Sequence, residues 1–66
     1  MERRFYIELD TEFTYRDGEE MYHIFEYGRW NEFGEPYCVM PYLTYEEAHA
    51  LVTKWNNGEE VPNVNA

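Results

Sequence analysis

Apolar and polar residues alternate near the start of the chain. The odd positions of residues 5–15 are mostly apolar or aromatic, whereas Glu8, Asp10 and Glu12 occupy even positions. A period of two is typical of a β-strand with one buried face and one solvated face. Because antiparallel sheets commonly have one packed face and one wet face, the pattern predicts an antiparallel sheet that is covered on one side.

A tight turn and a second strand are predicted next. Asp17 and Gly18 form a dipeptide that readily adopts the positive backbone angles of a hairpin turn. Residues 21–30 are rich in aromatic and branched side chains, which favour a strand. We therefore expect the first two strands to pair directly.

Two registers are compatible with this hairpin. A two-residue loop would place Leu9 opposite Glu26, whereas a three-residue turn with a glycine bulge would place Leu9 opposite Phe25. We favour the second register because it gathers the apolar residues of both strands on one face. A slip of a single residue would invert every side chain of the second strand. Ile24 and Tyr22 support the first register instead.

A third strand is predicted after a loop. Residues 31–36 contain Asn, Gly and Pro, which favour irregular structure, and Gly28 before them is a candidate bulge. Residues 37–40 then resume an extended pattern. Pro41 cannot donate a ladder hydrogen bond, so the strand either ends there or lies at an edge of the sheet.

A helix follows the third strand. Thr44 and Glu47 have the spacing of a capping box, in which each residue satisfies a backbone N–H of the other. Gly58 marks the end because glycine readily takes the left-handed conformation past a last turn. One face of the helix carries apolar residues at helical spacing, namely Ala48, Leu51, Val52 and Trp55.

Together these elements predict an α+β fold of type βββα, a three-stranded antiparallel sheet with one C-terminal helix packed on one face. Residues 1–58 would form a single compact acidic domain, and residues 59–66 a flexible C-terminal tail. The other face of the sheet would remain open to solvent. The predicted core consists of Phe5, Ile7, Leu9, Phe13, Val39, Leu51, Val52 and Trp55.

Composition adds a strong negative charge to this picture. The 66-residue chain carries 14 acidic and 5 basic side chains, a net charge of −9, and 20% of its residues are aromatic. An acidic chain without large apolar groups would stay unfolded, and the aromatic residues remove that obstacle. A strongly anionic surface suits a basic partner and disfavours direct contact with nucleic acid or a membrane.

Catalytic, cofactor and metal motifs are absent from the sequence. The chain has no Ser, and Cys38 is its only cysteine, which excludes an internal disulfide and a cysteine-based zinc site. Glu46 and His49 have a spacing seen in di-iron sites, but one helix supplies only part of such a site. A role for His23 as a metal ligand or general base is the weakest hypothesis. We therefore predict a protein that is not an enzyme and binds no cofactor or metal. Without a signal peptide or a bilayer-spanning stretch, it is expected to be cytoplasmic.

The candidate partner-binding surface lies on the first two strands. Alternate carboxylates on a strand recur at about 6.6 to 6.8 Å and form an anionic row that could replace phosphates in a basic groove. Tyrosines beside them could stack on Arg guanidinium groups. A simple solvated sheet face would show the same alternation. The candidate residues are Glu8, Asp10, Glu12, Glu19, Glu20, Glu26, Tyr22 and Tyr27.

Two functions fit these features. The first is a small acidic protein-binding module that inhibits or modulates a nucleic-acid-binding protein by occupying its basic surface, a DNA mimic of phage or mobile-element type. The second is a structural or assembly protein that forms a homodimer or docks on a larger complex through its aromatic sheet face. The predicted arrangement resembles the small sheet-plus-helix DNA-binding domains of tyrosine recombinases. Those domains present basic sheets, and no motif assigns this acidic chain to that family.

Overall fold

A computed structural model describes residues 4–11 and 20–62. These residues form the strands β1 (Phe5–Leu9), β2 (Tyr22–Trp30) and β3 (Pro36–Leu43) and the helix α1 (Tyr45–Asn56). The strands make one antiparallel sheet in the order β1-β2-β3. The predicted βββα fold is confirmed, and both β1 and β3 are edge strands.

The register of β1 on β2 differs from both predicted registers. Leu9 pairs with Tyr22, and Ile7 pairs with Ile24. This alignment turns Ile24, which is completely buried, to the same side of the sheet as Phe5 and Ile7. As in the first predicted register, odd positions of β1 share a side of the sheet with even positions of β2. The second register, which we favoured, is wrong because it would expose Ile24. The predicted turn at residues 17 and 18 lies outside the described residues.

The core lies between α1 and one side of the sheet. Its buried residues are Phe5, Ile24, Ala48, Val52 and Trp55, and the rings of Phe5 and Trp55 meet edge to face with centroids 5.3 Å apart. Ile7, Val39 and Leu51 pack against this cluster as predicted. Phe13 lies outside the described residues.

The prediction that Leu9 belongs to the core is wrong. Its side chain is 44% exposed, because it lies at the end of an edge strand. The core closes at that end where the ring of Tyr22 meets the ring of Tyr45 in the first turn of α1, with centroids 5.2 Å apart. Ile24 takes the central position that the alternation of β1 alone could not identify.

The helix begins and ends as predicted. The Thr44 hydroxyl accepts a hydrogen bond from the Glu47 N–H at 3.2 Å, and the Glu47 carboxylate accepts one from the Thr44 N–H at 3.2 Å. Such a cap contributes about 1 kcal/mol to stability. Gly58 follows the last turn with φ of +83°, the left-handed conformation that glycine favours.

Strand β3 pairs irregularly with β2. The register shifts along the pair, and Gly28 has φ of +75°, which agrees with the predicted bulge. Pro41 lies within β3, so the strand continues past it at the edge of the sheet. The prediction of a flexible tail stays a prediction. Within residues 59–62, Val61 packs against the core and Glu60 pairs with Lys54 at 2.9 Å.

Candidate partner-binding surface

The sheet has two unlike sides. The covered side faces α1 and contains the core. The side that α1 does not cover, called the open face here, carries the even positions from Tyr6 to Asp10, the odd positions from His23 to Tyr27, and parts of β3. Its residues are Tyr6, Glu8, Asp10, His23, Phe25, Tyr27, Cys38 and Tyr42.

Five rings form a continuous line across the open face. Ring centroids are 4.4 Å apart for Tyr27 and Tyr6, 5.5 Å for Tyr6 and Phe25, 6.3 Å for Phe25 and His23, and 4.9 Å for His23 and Tyr42. Aromatic pairs between neighbouring strands, such as Tyr27 with Tyr6 and Tyr6 with Phe25, contribute about 0.5 to 1.5 kcal/mol each. We call these five residues the aromatic stripe. It involves all three strands.

The two ends of the aromatic stripe are the most accessible. Tyr27 is 52% exposed and Tyr42 is 48% exposed, whereas Tyr6, Phe25 and His23 are half-buried. Tyr42 also has φ of +58°, which is uncommon for a residue with a side chain. The stripe therefore presents flat ring surface to solvent at both ends.

Glu8 places negative charge beside the stripe. It is exposed and lies next to Tyr6 in space: burial raises the pKa of the Tyr6 hydroxyl, and the charges of Glu8 and Tyr27 raise it further. Among residues 4–11 and 20–62, no basic side chain forms an ion pair with Glu8. The Glu8 carboxylate is thus available to a cation from outside.

Asp10 is on the open face but is engaged within the protein. Its carboxylate lies 2.7 Å from His23 Nε2, and its side chain is only 8% exposed. The Tyr42 N–H donates to His23 Nδ1 at 3.2 Å, so Nδ1 acts as an acceptor. His23 therefore links Asp10, the residue after β1, to Tyr42 of β3 through its two ring nitrogens. This arrangement gives His23 and Asp10 a structural role in shaping the stripe.

Glu26 lies on the covered side, away from the other candidate carboxylates. It pairs with Phe5, and its residue exposure is 7%. The Arg4 guanidinium donates to Glu26 Oε2, and Arg29 lies 3.5 Å from Oε1. A buried carboxylate needs such partners because an unpaired charge is costly to bury. Its charge is used internally.

The remaining predicted site residues do not lie together on the open face. Tyr22 lies on the covered side, and its hydroxyl donates to exposed Glu20 at 2.8 Å, which raises the pKa of Tyr22. Glu12 and Glu19 lie outside the described residues. Of the eight candidates, the structure therefore brings Glu8, Asp10 and Tyr27 together on the open face.

Sequence reasoning missed most of the aromatic stripe. Tyr6 could have been found, since it shares the even positions of β1 with Glu8 and Asp10. Phe25 and Tyr42 could not, because their side of the sheet depends on the register of β2 and on the irregular pairing of β3. Those features arise from contacts between distant parts of the chain.

No known protein family, curated protein or solved structure matches this chain. In the part of the chain that the structure describes, no group of three or more His, Cys, Asp or Glu side chains is placed to hold a metal ion. No helix among residues 4–11 and 20–62 has the length and apolar character needed to cross a bilayer. Function is therefore inferred from the surface of the chain itself.

Proposed function

We propose that this chain is a small acidic protein-binding module. Its open face covers the basic surface of a nucleic-acid-binding protein and thereby inhibits or modulates that protein. The observation that supports this proposal most strongly is the aromatic stripe, which is accessible at Tyr27 and Tyr42 and lies beside the uncompensated carboxylate of Glu8. Flat rings next to a carboxylate are suited to Arg side chains.

The protein already contains the type of contact that this function requires. The Arg29 guanidinium lies over the Tyr37 ring at 5.0 Å from its centroid, and that of Arg4 lies over the Phe5 ring at the same distance. Both Arg side chains also pair with Glu26. An Arg of a partner would make the equivalent contacts with Tyr27 and Glu8, each worth about 0.5 to 1 kcal/mol at an exposed site.

Net charge supports the same class of partner. A charge of −9 attracts a basic surface at long range and repels nucleic acid and anionic lipid. The support comes from overall charge complementarity and stacking, and not from a phosphate-like row, since Asp10 is engaged by His23. Long-range attraction is screened over about 8 Å at physiological ionic strength, so association should weaken as salt increases.

Affinity capture with competition tests this function. The immobilised chain is incubated with a cell lysate, and the bound proteins are eluted with duplex DNA or with salt. We expect the captured proteins to include nucleic-acid-binding proteins that duplex DNA displaces. The Glu8→Gln variant should capture smaller amounts of these proteins. Glu59→Gln is the matched control because it removes the same charge from an exposed position beyond α1.

The surface used in these complexes can be located through Cys38. This single cysteine is exposed and lies opposite Phe25 on the open face, and desolvation raises the pKa of its thiol, so alkylation is measured at mildly alkaline pH. A bound partner should slow the alkylation of Cys38. Captured proteins that are acidic, or that resist both DNA and salt, would refute the proposal. A salt-insensitive homodimer in sedimentation that protects Cys38 would favour the assembly function instead.

A further inference from the structure

The outer edge of β1 has backbone groups that point away from the sheet. The Asp10 N–H donates to the Met21 carbonyl, and the Tyr27 N–H donates to the Arg4 carbonyl, both at 2.8 Å. In an antiparallel pair, residues that exchange hydrogen bonds alternate with residues that do not. The even positions of β1 therefore bond to β2. The N–H and C=O of its odd positions point outward.

Asn56 occupies the first part of this edge. The Phe5 N–H donates to Asn56 Oδ1 at 2.8 Å, and Asn56 Nδ2 donates to the Phe5 carbonyl at 3.2 Å. The side-chain amide of α1 thus imitates one residue of a neighbouring strand. At the next odd position, Ile7, no hydrogen bond from any described residue reaches the outward N–H or C=O.

A groove lies beside this edge. Its volume is about 560 Å³, and it is bordered by Ile7 and Glu8 of β1 and by Tyr45, His49 and Thr53 of α1. The rings of Tyr45 and His49 stack with centroids 5.8 Å apart along the helix wall. Pockets of several hundred cubic ångströms commonly accept ligands. This one combines an unfilled hydrogen-bonding edge with a wall of aromatic rings and polar groups.

We infer that an extended peptide segment of a basic partner adds to β1 as a fourth strand. This inference rests on the proposed function and specifies how part of the partner is held. The backbone of the segment pairs with the outward N–H and C=O of Ile7. Because successive side chains of a strand point to opposite sides, apolar side chains enter the groove beside Tyr45, and alternate Lys or Arg side chains extend over Glu8 and Tyr6.

Net charge favours a basic peptide segment at this edge over a second copy of the chain. Pairing two β1 edges would bring together two molecules that each carry −9, and self-repulsion would oppose it. A basic segment is instead attracted to the exposed carboxylate of Glu8 at the border of the groove. An edge strand with unfilled groups is a ready template for such an addition.

Two peptides of identical composition test the inference. One alternates Arg and Val over seven residues, beginning and ending with Arg, and the other has the same residues in two blocks. Only the alternating peptide places all its Val side chains on one side. We expect it to bind more tightly and, at saturation, to slow amide hydrogen exchange of Ile7 by about tenfold or more. We expect little slowing of that amide by the block peptide.

A synthetic chain with N-methyl-Ile7 provides the matched variant. The methyl group removes the outward donor and blocks the approach of another strand at that position, while the ladder to β2 is kept, so the preference for the alternating peptide should disappear. Equal binding of both peptides without protection of Ile7 would overturn strand addition while leaving the proposed function standing. Failure of both peptides to bind even at low salt would overturn the two together. Protection of Ile7 in a dimer without peptide would assign the edge to a second copy and refute the inference.

Discussion

Both sides of the sheet are rich in aromatic residues, but they differ in whether their carboxylates have ion-pair partners. On the covered side, Glu26 is buried and lies beside Arg4 and Arg29. On the open face, Glu8 is exposed and has no ion-pair partner among the described residues. The charge of Glu26 is thus paired within the protein. The open face keeps a charge and ring surface that a partner can use.

The same contrast appears in the aromatic contacts. Phe5 and Trp55 are enclosed on the covered side, with exposures of 0% and 5%. In the aromatic stripe, Tyr27 and Tyr42 contact their neighbours on the sheet and still expose about half of their surface. Mutations on the covered side should therefore act mainly on stability, and mutations on the open face mainly on binding.

The largest effect is expected from Ile24→Ala. Ile24 is completely buried at the centre of the core, so the cavity should lower the free energy of unfolding by about 2 to 5 kcal/mol. Urea denaturation measures this loss. If the alanine variant does not fold, Ile24→Val can be measured instead, and it should lower the free energy of unfolding by about 0.5 to 1.5 kcal/mol. Cys38→Ala on the open face is the control. A loss for Cys38→Ala as large as that for Ile24→Ala would contradict the contrast between the two sides.

A smaller effect is expected from Asn56→Ala. The substitution leaves the outward N–H and C=O of Phe5 without partners, which should cost about 1 to 3 kcal/mol. The neighbouring Asn57→Ala should change stability by less than about 0.5 kcal/mol, since the side chain of Asn57 is exposed. Equal urea midpoints for the two variants would show that the contact between α1 and β1 is not stabilising.

The smallest effect concerns alkaline pH. Because the pKa of Tyr6 is raised in the folded state above its ordinary value of 10.0, folding favours the protonated hydroxyl. The stability from this group is present below about pH 10 and is lost as the pH rises through the folded pKa. Glu8→Gln removes one cause, so the pKa of Tyr6 should fall. The pKa of Tyr6 is obtained from the difference in phenolate absorbance between each chain and the same chain with Tyr6→Phe. An unchanged pKa in Glu8→Gln would show that Glu8 is too far from the stripe to affect it.

Local features of the fold could be predicted from the sequence. The capping box of Thr44 and Glu47 and the end of α1 at Gly58 depend on residues close in the chain, and both are confirmed. The alternation of β1 correctly divided Phe5 from Glu8. These predictions need no knowledge of distant contacts.

Long-range features could not be predicted in the same way. The register of β1 on β2 is set by the burial of Ile24, and it differs from both registers that the sequence predicts. The roles of two candidate carboxylates follow from that register. Asp10 comes within reach of His23, and Glu26 is turned to the covered side opposite Phe5. Of the two described acids in the predicted row, Glu8 is accessible beside the aromatic stripe and Asp10 is paired with His23.

The most direct test of the open face uses a nine-residue poly-arginine peptide. Its affinity is measured by fluorescence anisotropy at low and physiological salt for the native chain and for two alanine variants. Tyr27→Ala should weaken binding by about fivefold, equivalent to about 1 kcal/mol, at both salt concentrations because it removes a stacking surface. Phe33→Ala is the control, since Phe33 is 77% exposed in the loop between β2 and β3 and lies outside the stripe. Equal affinities for the two variants would contradict the central claim that the open face holds the basic partner.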